Sequence, residues 1–171
     1  PTGTGKTLAF LLPTITALDT NCKNVQLLIL VPSRELAIQI EQVIRTMGTG
    51  FKANAVYGGR HFSKDKIDLA HTPAILVGTP GRIADHLRRE TFLVDDISTL
   101  VLDEFDKSLE VGFEKEMSEI IASLPHIKKR ILTSATQDME IPRFVGLENE
   151  LIIDYSDTKV SNLEIKQVIS P

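Results

Sequence analysis

Short apolar runs recur along this chain, each followed at once by glycine, proline, hydroxyl or acidic residues. The runs are Leu27–Val31, Ala53–Tyr57, Ala74–Val77, Thr99–Leu102, Arg130–Thr133 and Leu151–Asp154. Most are continuous rather than alternating, the pattern of strands covered on both faces. Between them lie segments of helical character: Lys6–Leu18, Arg34–Met47, Arg60–Ala70, Gly81–Arg89, Phe113–Ser123 and Met139–Val145. Pro13 falls inside the first and is expected to kink or shorten it. Strict alternation of strand and helix predicts right-handed crossovers and an α/β fold, a predominantly parallel sheet with helices on both faces. Ligands in such sheets collect at the carboxyl ends of the strands. The segments opening at Pro32, Gly58-Gly59, Gly78, Asp103 and Ser134 each follow a strand, so that shared edge is the predicted site. Residues 1–155 form the predicted domain, and residues 156–171, polar with scattered Ile and Val, read as an exit segment.

Composition narrows the classes. With 171 residues, 42% hydrophobic and 25% charged, the chain is sized for one domain with a true core. No run approaches the roughly 20 apolar residues of a membrane span. A net charge of −4 counts against a globally basic nucleic-acid binder but leaves room for a local anion-binding face. Four scattered His and one Cys give no zinc-type spacing, and the lone Cys22 suits a reducing, cytoplasmic location.

The chemistry begins with Pro1-Thr2-Gly3-Thr4-Gly5-Lys6-Thr7. A phosphate-binding loop reads G-x-x-x-x-G-K-[ST], and counting back from Gly5 puts its first position just ahead of Pro1. The sequence is therefore expected to be the core of a longer protein. Gly3 and Gly5 permit backbone conformations that let successive amides of Thr2 to Thr7 wrap a phosphate, while the helix starting near Lys6 adds its positive end. Lys6 would reach the β- and γ-phosphates of a bound nucleoside triphosphate, and the Thr7 hydroxyl would ligate Mg²⁺. The plainer alternative is a Gly/Thr turn before an ordinary helix. Asp103, at the end of Thr99–Leu102, would supply the second metal anchor, and Glu104 would orient or deprotonate the attacking water. An acidic pair after a strand is by itself most often a solvated loop; the phosphate loop changes that reading. Ser134 and Thr136 end another strand. They serve either as helix caps, the reading favoured locally with Thr136 at the N-cap, or as partners of Asp103 or Asp106. Pro32-Ser33-Arg34-Glu35 reads locally as a helix start capped by Ser33.

Taken together, P-T-G-T-G-K-T (1–7), P-S-R-E-L-A (32–37), G-G (58–59), T-P-G-R (79–82), D-E-F-D (103–106) and S-A-T (134–136) resemble the first RecA-like lobe of a DEAD-box RNA helicase. The resemblance covers most of the chain and implies a RecA-like P-loop NTPase that uses ATP and Mg²⁺ to remodel RNA. It implies phosphate binding by Thr2, Gly3, Thr4, Gly5, Lys6 and Thr7, metal binding by Thr7 and Asp103, and Lys6, Asp103 and Glu104 as the catalytic set. It assigns Asp106, Ser134 and Thr136 to coupling with a second lobe, and Pro32, Arg34, Glu35, Gly58, Gly59, Thr79, Gly81 and Arg82 to the RNA backbone. Backbone recognition by guanidinium groups, hydroxyls and helix amides needs no base reading.

The sequence departs from the family pattern at Phe105, where Ala is usual, and at Ser33, where Thr is usual. Phe105 stands between two acids, and its ring is expected to be absorbed by repacking. The family's upstream adenine-sensing segment and its second lobe, with their arginine fingers and further RNA contacts, are not among these residues. Two other functions compete: a nucleotide-switched scaffold that binds RNA or protein without catalysis, and a DNA translocase of the same superfamily. Intact Lys6, Asp103 and Glu104 oppose the first; Arg34 and Thr79–Arg82 lean toward RNA.

Overall fold

The computed structural model describes residues 5–136 and 140–147. Within them the order is α1 (Lys6–Ile15), β1 (Leu27–Leu30), α2 (Arg34–Thr46), β2 (Ala53–Val56), α3 (Phe62–Leu69), β3 (Ile75–Gly78), α4 (Pro80–Arg88), β4 (Thr99–Leu102), α5 (Phe105–Glu110), α6 (Glu114–Ala122), β5 (Lys129–Leu132) and a 3₁₀ turn (Arg143–Val145). The five strands form one parallel sheet in the order β2-β3-β1-β4-β5.

Side-chain alternation along each strand divides the core in two. Leu28 and Leu30 of β1, Leu76 of β3, and Leu100 and Leu102 of β4 pack with Leu69 of α3, Ile83 and Ala84 of α4, and Met117, Ile120 and Ile121 of α6. Leu27, Ile29, Ile75, Val77 and Val101 point the other way, onto Phe10, Leu11 and Ile15 of α1 and Ala37, Ile40 and Ile44 of α2. Both faces are thus covered, which is why the strands read as continuous apolar runs. Register aligns Leu30 with Gly78 and Leu102, and Leu102 with Leu132, so the strand ends finish on one line and the following loops share one edge. Because β1 lies between β3 and β4, chain connections diverge to either side of it, opening the crevice expected at a topological switch point.

Several predicted bounds shift. The first helix ends at Ile15 rather than Leu18, two residues after Pro13. Proline removes one helical donor, and next to it the hydroxyl of Thr14 bonds back to the Phe10 carbonyl at 2.8 Å, a local contact that competes with helix continuation. The helix expected over Met139–Val145 reduces to the 3₁₀ turn within the described residues, because Pro142 disfavours helical backbone at Ile141. The short α5 is not apparent from the sequence. The strand expected at Leu151–Asp154 and the exit segment 156–171 lie outside the described residues. No helix among the described residues is long and apolar enough to cross a membrane.

Gly78 closes β3 at a close backbone approach. A Cβ there would lie 2.7 Å from the Val56 carbonyl oxygen and 2.7 Å from Cγ1 of Ile83, which is itself fully buried. Gly78→Ala is therefore expected to destabilise the fold by about 1–3 kcal/mol through overpacking. At roughly 2–4 °C per kcal/mol for a chain of this size, the melting temperature should fall visibly in a thermal scan. Gly58→Ala, where a Cβ meets open space, is the matched control and should shift it little.

Candidate functional site

The helix α1 starts behind Gly5, whose φ of 75° and ψ of 0° lie in the left-handed region. A Cβ there would meet nothing within 4 Å, so the demand for glycine is conformational rather than spatial. No side chain caps this helix and no acid occupies its first turn, so its positive end has no anionic partner from its own first turn. Lys6 is exposed and Thr7 half-buried. Thr2, Gly3 and Thr4 lie outside the described residues.

Facing this corner, Asp103 extends β4 by one rung, its N–H donating to the Leu30 carbonyl at 2.9 Å. The residue is only 5% exposed. Burial pushes its carboxyl above the usual range, opposed by hydrogen bonds from the Thr133 hydroxyl and the Glu104 amide and by the positive charge of Lys6. Among the described residues Asp103 forms no ion pair. A buried carboxylate short of positive charge, beside a threonine hydroxyl, is the hard-oxygen donor set that suits Mg²⁺, which keeps few protein ligands and completes its shell with water and phosphate. Asp103 and Thr7 would hold the ion.

Glu104 is half-buried with φ 49° and ψ 52°, a left-handed backbone that is uncommon outside glycine. That kink turns the chain from β4 into α5. It sends Phe105 away from the acids: the ring has no exposed surface and packs among Ile83, Met117 and Ile120 on the α4–α6 face, 6.4 Å from the Phe144 ring centre. The bulk of Phe105 is thus spent in the core. Asp106 is 7% exposed and accepts the Thr136 hydroxyl at 2.9 Å and the Ala135 N–H at 3.3 Å. Burial alone would raise its pKa, but these bonds and others from backbone amides hold it below the ordinary carboxylate range. The Thr136 side chain therefore goes to Asp106. Ser134 turns back on its own loop, its hydroxyl accepting the Thr136 N–H at 3.0 Å.

Along the same edge, Ser33 caps α2 by accepting the Leu36 N–H at 3.2 Å, as its sequence predicts. Half-buried Pro32 precedes it. Arg34 and Glu35 extend beyond the cap, paired at 2.6 Å and largely exposed. Gly59, with φ 85°, brings the β2–α3 loop beside them: a Cβ there would lie 3.9 Å from Nη1 of Arg34, and Gly58 is exposed next to it. Thr79 begins α4 without a side-chain capping bond, and Gly81 lies in the first turn.

Arg82 is turned inward. Its side chain is 12% exposed; Nε donates to Oδ2 of Asp65 at 2.7 Å and Nη2 to the Arg60 carbonyl at 2.8 Å. Asp65 on α3 has no exposed surface and also meets Nε of Arg60 at 3.2 Å and Nε2 of His86 at 3.1 Å. His86 is buried, which pulls its pKa down despite Asp65, and it stacks on Phe62 with ring centres 4.4 Å apart. Arg82 thus ties the Gly58–Arg60 loop to the start of α4, and Asp65 anchors it from beneath.

The sequence reading overlooked two residues of this arrangement. Thr133 donates its hydroxyl to Asp103 and accepts the Glu104 N–H at 3.0 Å. In the sequence it is one more β-branched residue ending a strand. Asp65 looks like a solvated helix acid, and its partners Arg82 and His86 lie 17 and 21 positions away. Only tertiary packing brings them together.

Comparison with known proteins agrees with this geometry. The chain is 44% identical over 149 residues to the ATP-dependent RNA helicase CshA of Limosilactobacillus reuteri, covering 86% of this chain and 30% of that protein. To the DEAD-box ATP-dependent RNA helicase CshA of Bacillus subtilis it is 33% identical over 169 residues, covering 95% of this chain and 34% of the relative. The chain thus spans about a third of the length of the curated relatives it matches. Its fold superposes on a DEAD box protein from Methanococcus jannaschii with a TM-score of 0.75 at 35% identity, over 85% of this chain and 39% of that one. A hypothetical ATP-dependent RNA helicase from Sulfolobus tokodaii gives a TM-score of 0.72 at 29% identity, over 85% of this chain and 41% of that one. The model of the DEAD/DEAH box helicase family matches residues 1–144, which include all five strands of the described sheet and the loops between them, and the chain belongs to that family.

Proposed function

We propose that this chain is the first RecA-like lobe of an ATP-dependent RNA helicase. It binds Mg·ATP at the α1–β4 corner and the backbone of single-stranded RNA along the α2–α4 edge, and it hydrolyses ATP together with a second RecA-like lobe. The observation that carries this reading is the meeting, at one sheet edge, of an α1 start with no side-chain cap, bearing Lys6 and Thr7, with the buried Asp103, which forms no ion pair among the described residues, and its neighbour Glu104. Thr2 to Gly5 and Lys6 hold the phosphates. Mg²⁺, when bound, neutralises charge on the β- and γ-phosphates. Glu104 orients the attacking water and takes its proton.

Asp106 and Thr136, with Ser134 bracing the same loop, carry the nucleotide state toward the second lobe. This is supported by the buried Oδ1 of Asp106, which has no hydrogen-bond partner among the described residues. On the RNA side, Arg34, the Gly58-Gly59 loop, Thr79 and Gly81 face the phosphates, with Pro32 and Glu35 shaping the helix start. Arg82 holds the loop and α4 in mutual register. The cytoplasm is the expected location, in keeping with a single free cysteine, Cys22.

Steady-state ATP hydrolysis by the protein carrying both lobes tests this, without nucleic acid, with single-stranded RNA and with matched DNA. Stimulation by RNA alone is the expected result. Equal stimulation by DNA would move the assignment to a general translocase, and binding without turnover would make the protein a nucleotide-switched scaffold. This chain alone should turn over very slowly, because an arginine supplied by a partner is worth on the order of 10³–10⁵ in rate in related phosphoryl-transfer enzymes.

A further inference from the structure

We infer that Thr133 is a positioning residue for the catalytic acids, fixing the Asp103 carboxylate and the Glu104 backbone with a single hydroxyl. This rests on the proposed Mg·ATP site and adds a residue to it. A threonine hydroxyl has one proton to give and lone pairs to receive. Here the proton goes to Oδ1 of Asp103, and a lone pair accepts the Glu104 N–H at 3.0 Å. The backbone of Thr133 grips the same segment from both sides. Its N–H donates to the Leu102 carbonyl at 2.9 Å, and its carbonyl accepts the Phe105 N–H at 2.9 Å. All three hydrogen-bonding groups of Thr133 are therefore engaged with residues 102–105.

The need for such a clasp follows from what it holds. Glu104 sits at φ 49°, and a non-glycine residue in that region persists only where its surroundings impose it. Asp103 is a buried carboxylate at a strand end, and without a donor on Oδ1 it would gain rotational freedom at the point where a cation must find it. The second contact of this strand end, Thr136 with Asp106, lies beyond Phe105 and cannot replace the first, because it acts on a different carboxylate. Valine at position 133 keeps the shape and the backbone bonds. It takes away the hydroxyl oxygen that accepts the Glu104 N–H and the hydroxyl proton donated to Asp103.

Partners that orient a metal-binding side chain typically contribute 10–100-fold to metal affinity or activity. The test compares Thr133→Val and Thr133→Ser with the wild type in two assays. The first is the Mg²⁺ dependence of binding of a fluorescent ADP analogue to this chain. The second is kcat and KM for ATP in the protein carrying both lobes. Thr133→Val is expected to require about tenfold more Mg²⁺ for half-maximal binding and to lose at least tenfold in kcat, with KM little changed. Thr133→Ser, which keeps the hydroxyl, is expected to recover most of both.

Wild-type Mg²⁺ dependence and kcat in Thr133→Val would overturn the inference. So would equal losses in the valine and serine variants accompanied by equal falls in melting temperature, which would make the residue merely structural. Wild-type chain that bound nucleotide with no Mg²⁺ dependence would instead overturn the metal site itself, and this inference with it.

Discussion

Glu104→Gln, in the protein carrying both lobes, is expected to abolish ATP turnover while leaving ATP and RNA binding intact. The amide matches the carboxylate in size and tolerates the same left-handed backbone, whose N–H is held by Thr133 whichever side chain projects from it. What is lost is the base. Removing a positioned general base typically costs 10²–10⁴ in rate, about 3–5 kcal/mol of barrier. ATP then stays bound without being cleaved, and the RNA-bound closed form should accumulate. Single-turnover hydrolysis and RNA retention after dilution measure the two halves of this expectation. Turnover at the wild-type rate would remove Glu104 from the catalytic role and leave the water to be activated elsewhere.

The largest expected effect on stability falls outside the nucleotide corner. Asp65→Ala removes the one anion shared by Arg82, Arg60 and His86. Breaking a buried pair by deleting one partner typically costs about 3–5 kcal/mol, because the remaining charge stays desolvated. For a chain of this length that corresponds to a fall of roughly 6–20 °C in melting temperature. Arg82, with a 12% exposed side chain, cannot be solvated without dismantling the link between the Gly58–Arg60 loop and α4. RNA affinity should therefore fall even though Asp65 has no exposed surface of its own. The double variant Asp65→Ala/Arg82→Ala should be less damaged than the sum of the single changes, because the stranded guanidinium is gone. A loss below about 1 kcal/mol in Asp65→Ala, within the range of an exposed pair, would show that Arg82 and Arg60 reach water freely and that the cluster holds nothing in place.

Both changes bear on how much of the molecule was legible beforehand. Continuous apolar runs marked β1, β3 and β4 because each is sealed on two sides, whereas β2 and β5, at the sheet edges, are less buried and carry Asn54, Lys129 and Arg130 within them. The Ser33 cap was legible because its bond to Leu36 spans three positions. The helix α5 was not, because it is only six residues long and follows a left-handed turn at Glu104 that no propensity favours. Phe105 illustrates the difference sharply. Read in line, it separates two acids. In the fold, the turn at Glu104 rotates it into the core beside Met117 and Ile120, so its size never meets the site.

Local chemistry and hydrophobic period thus determined the α/β fold, the shared strand-end edge and the identity of the acids, glycines and hydroxyls along it. Those features depend on residues within a few positions of one another. Tertiary structure alone decided how they are held. The clasp of Thr133 on Asp103 and Glu104 exists because β5 pairs in register with β4, aligning Leu132 with Leu102. Likewise, the inward turn of Arg82 exists because α3 carries Asp65 beneath α4. A hydrogen bond between residues about 30 positions apart depends on sheet register and helix packing, and neither is written in the spacing of the residues that make it.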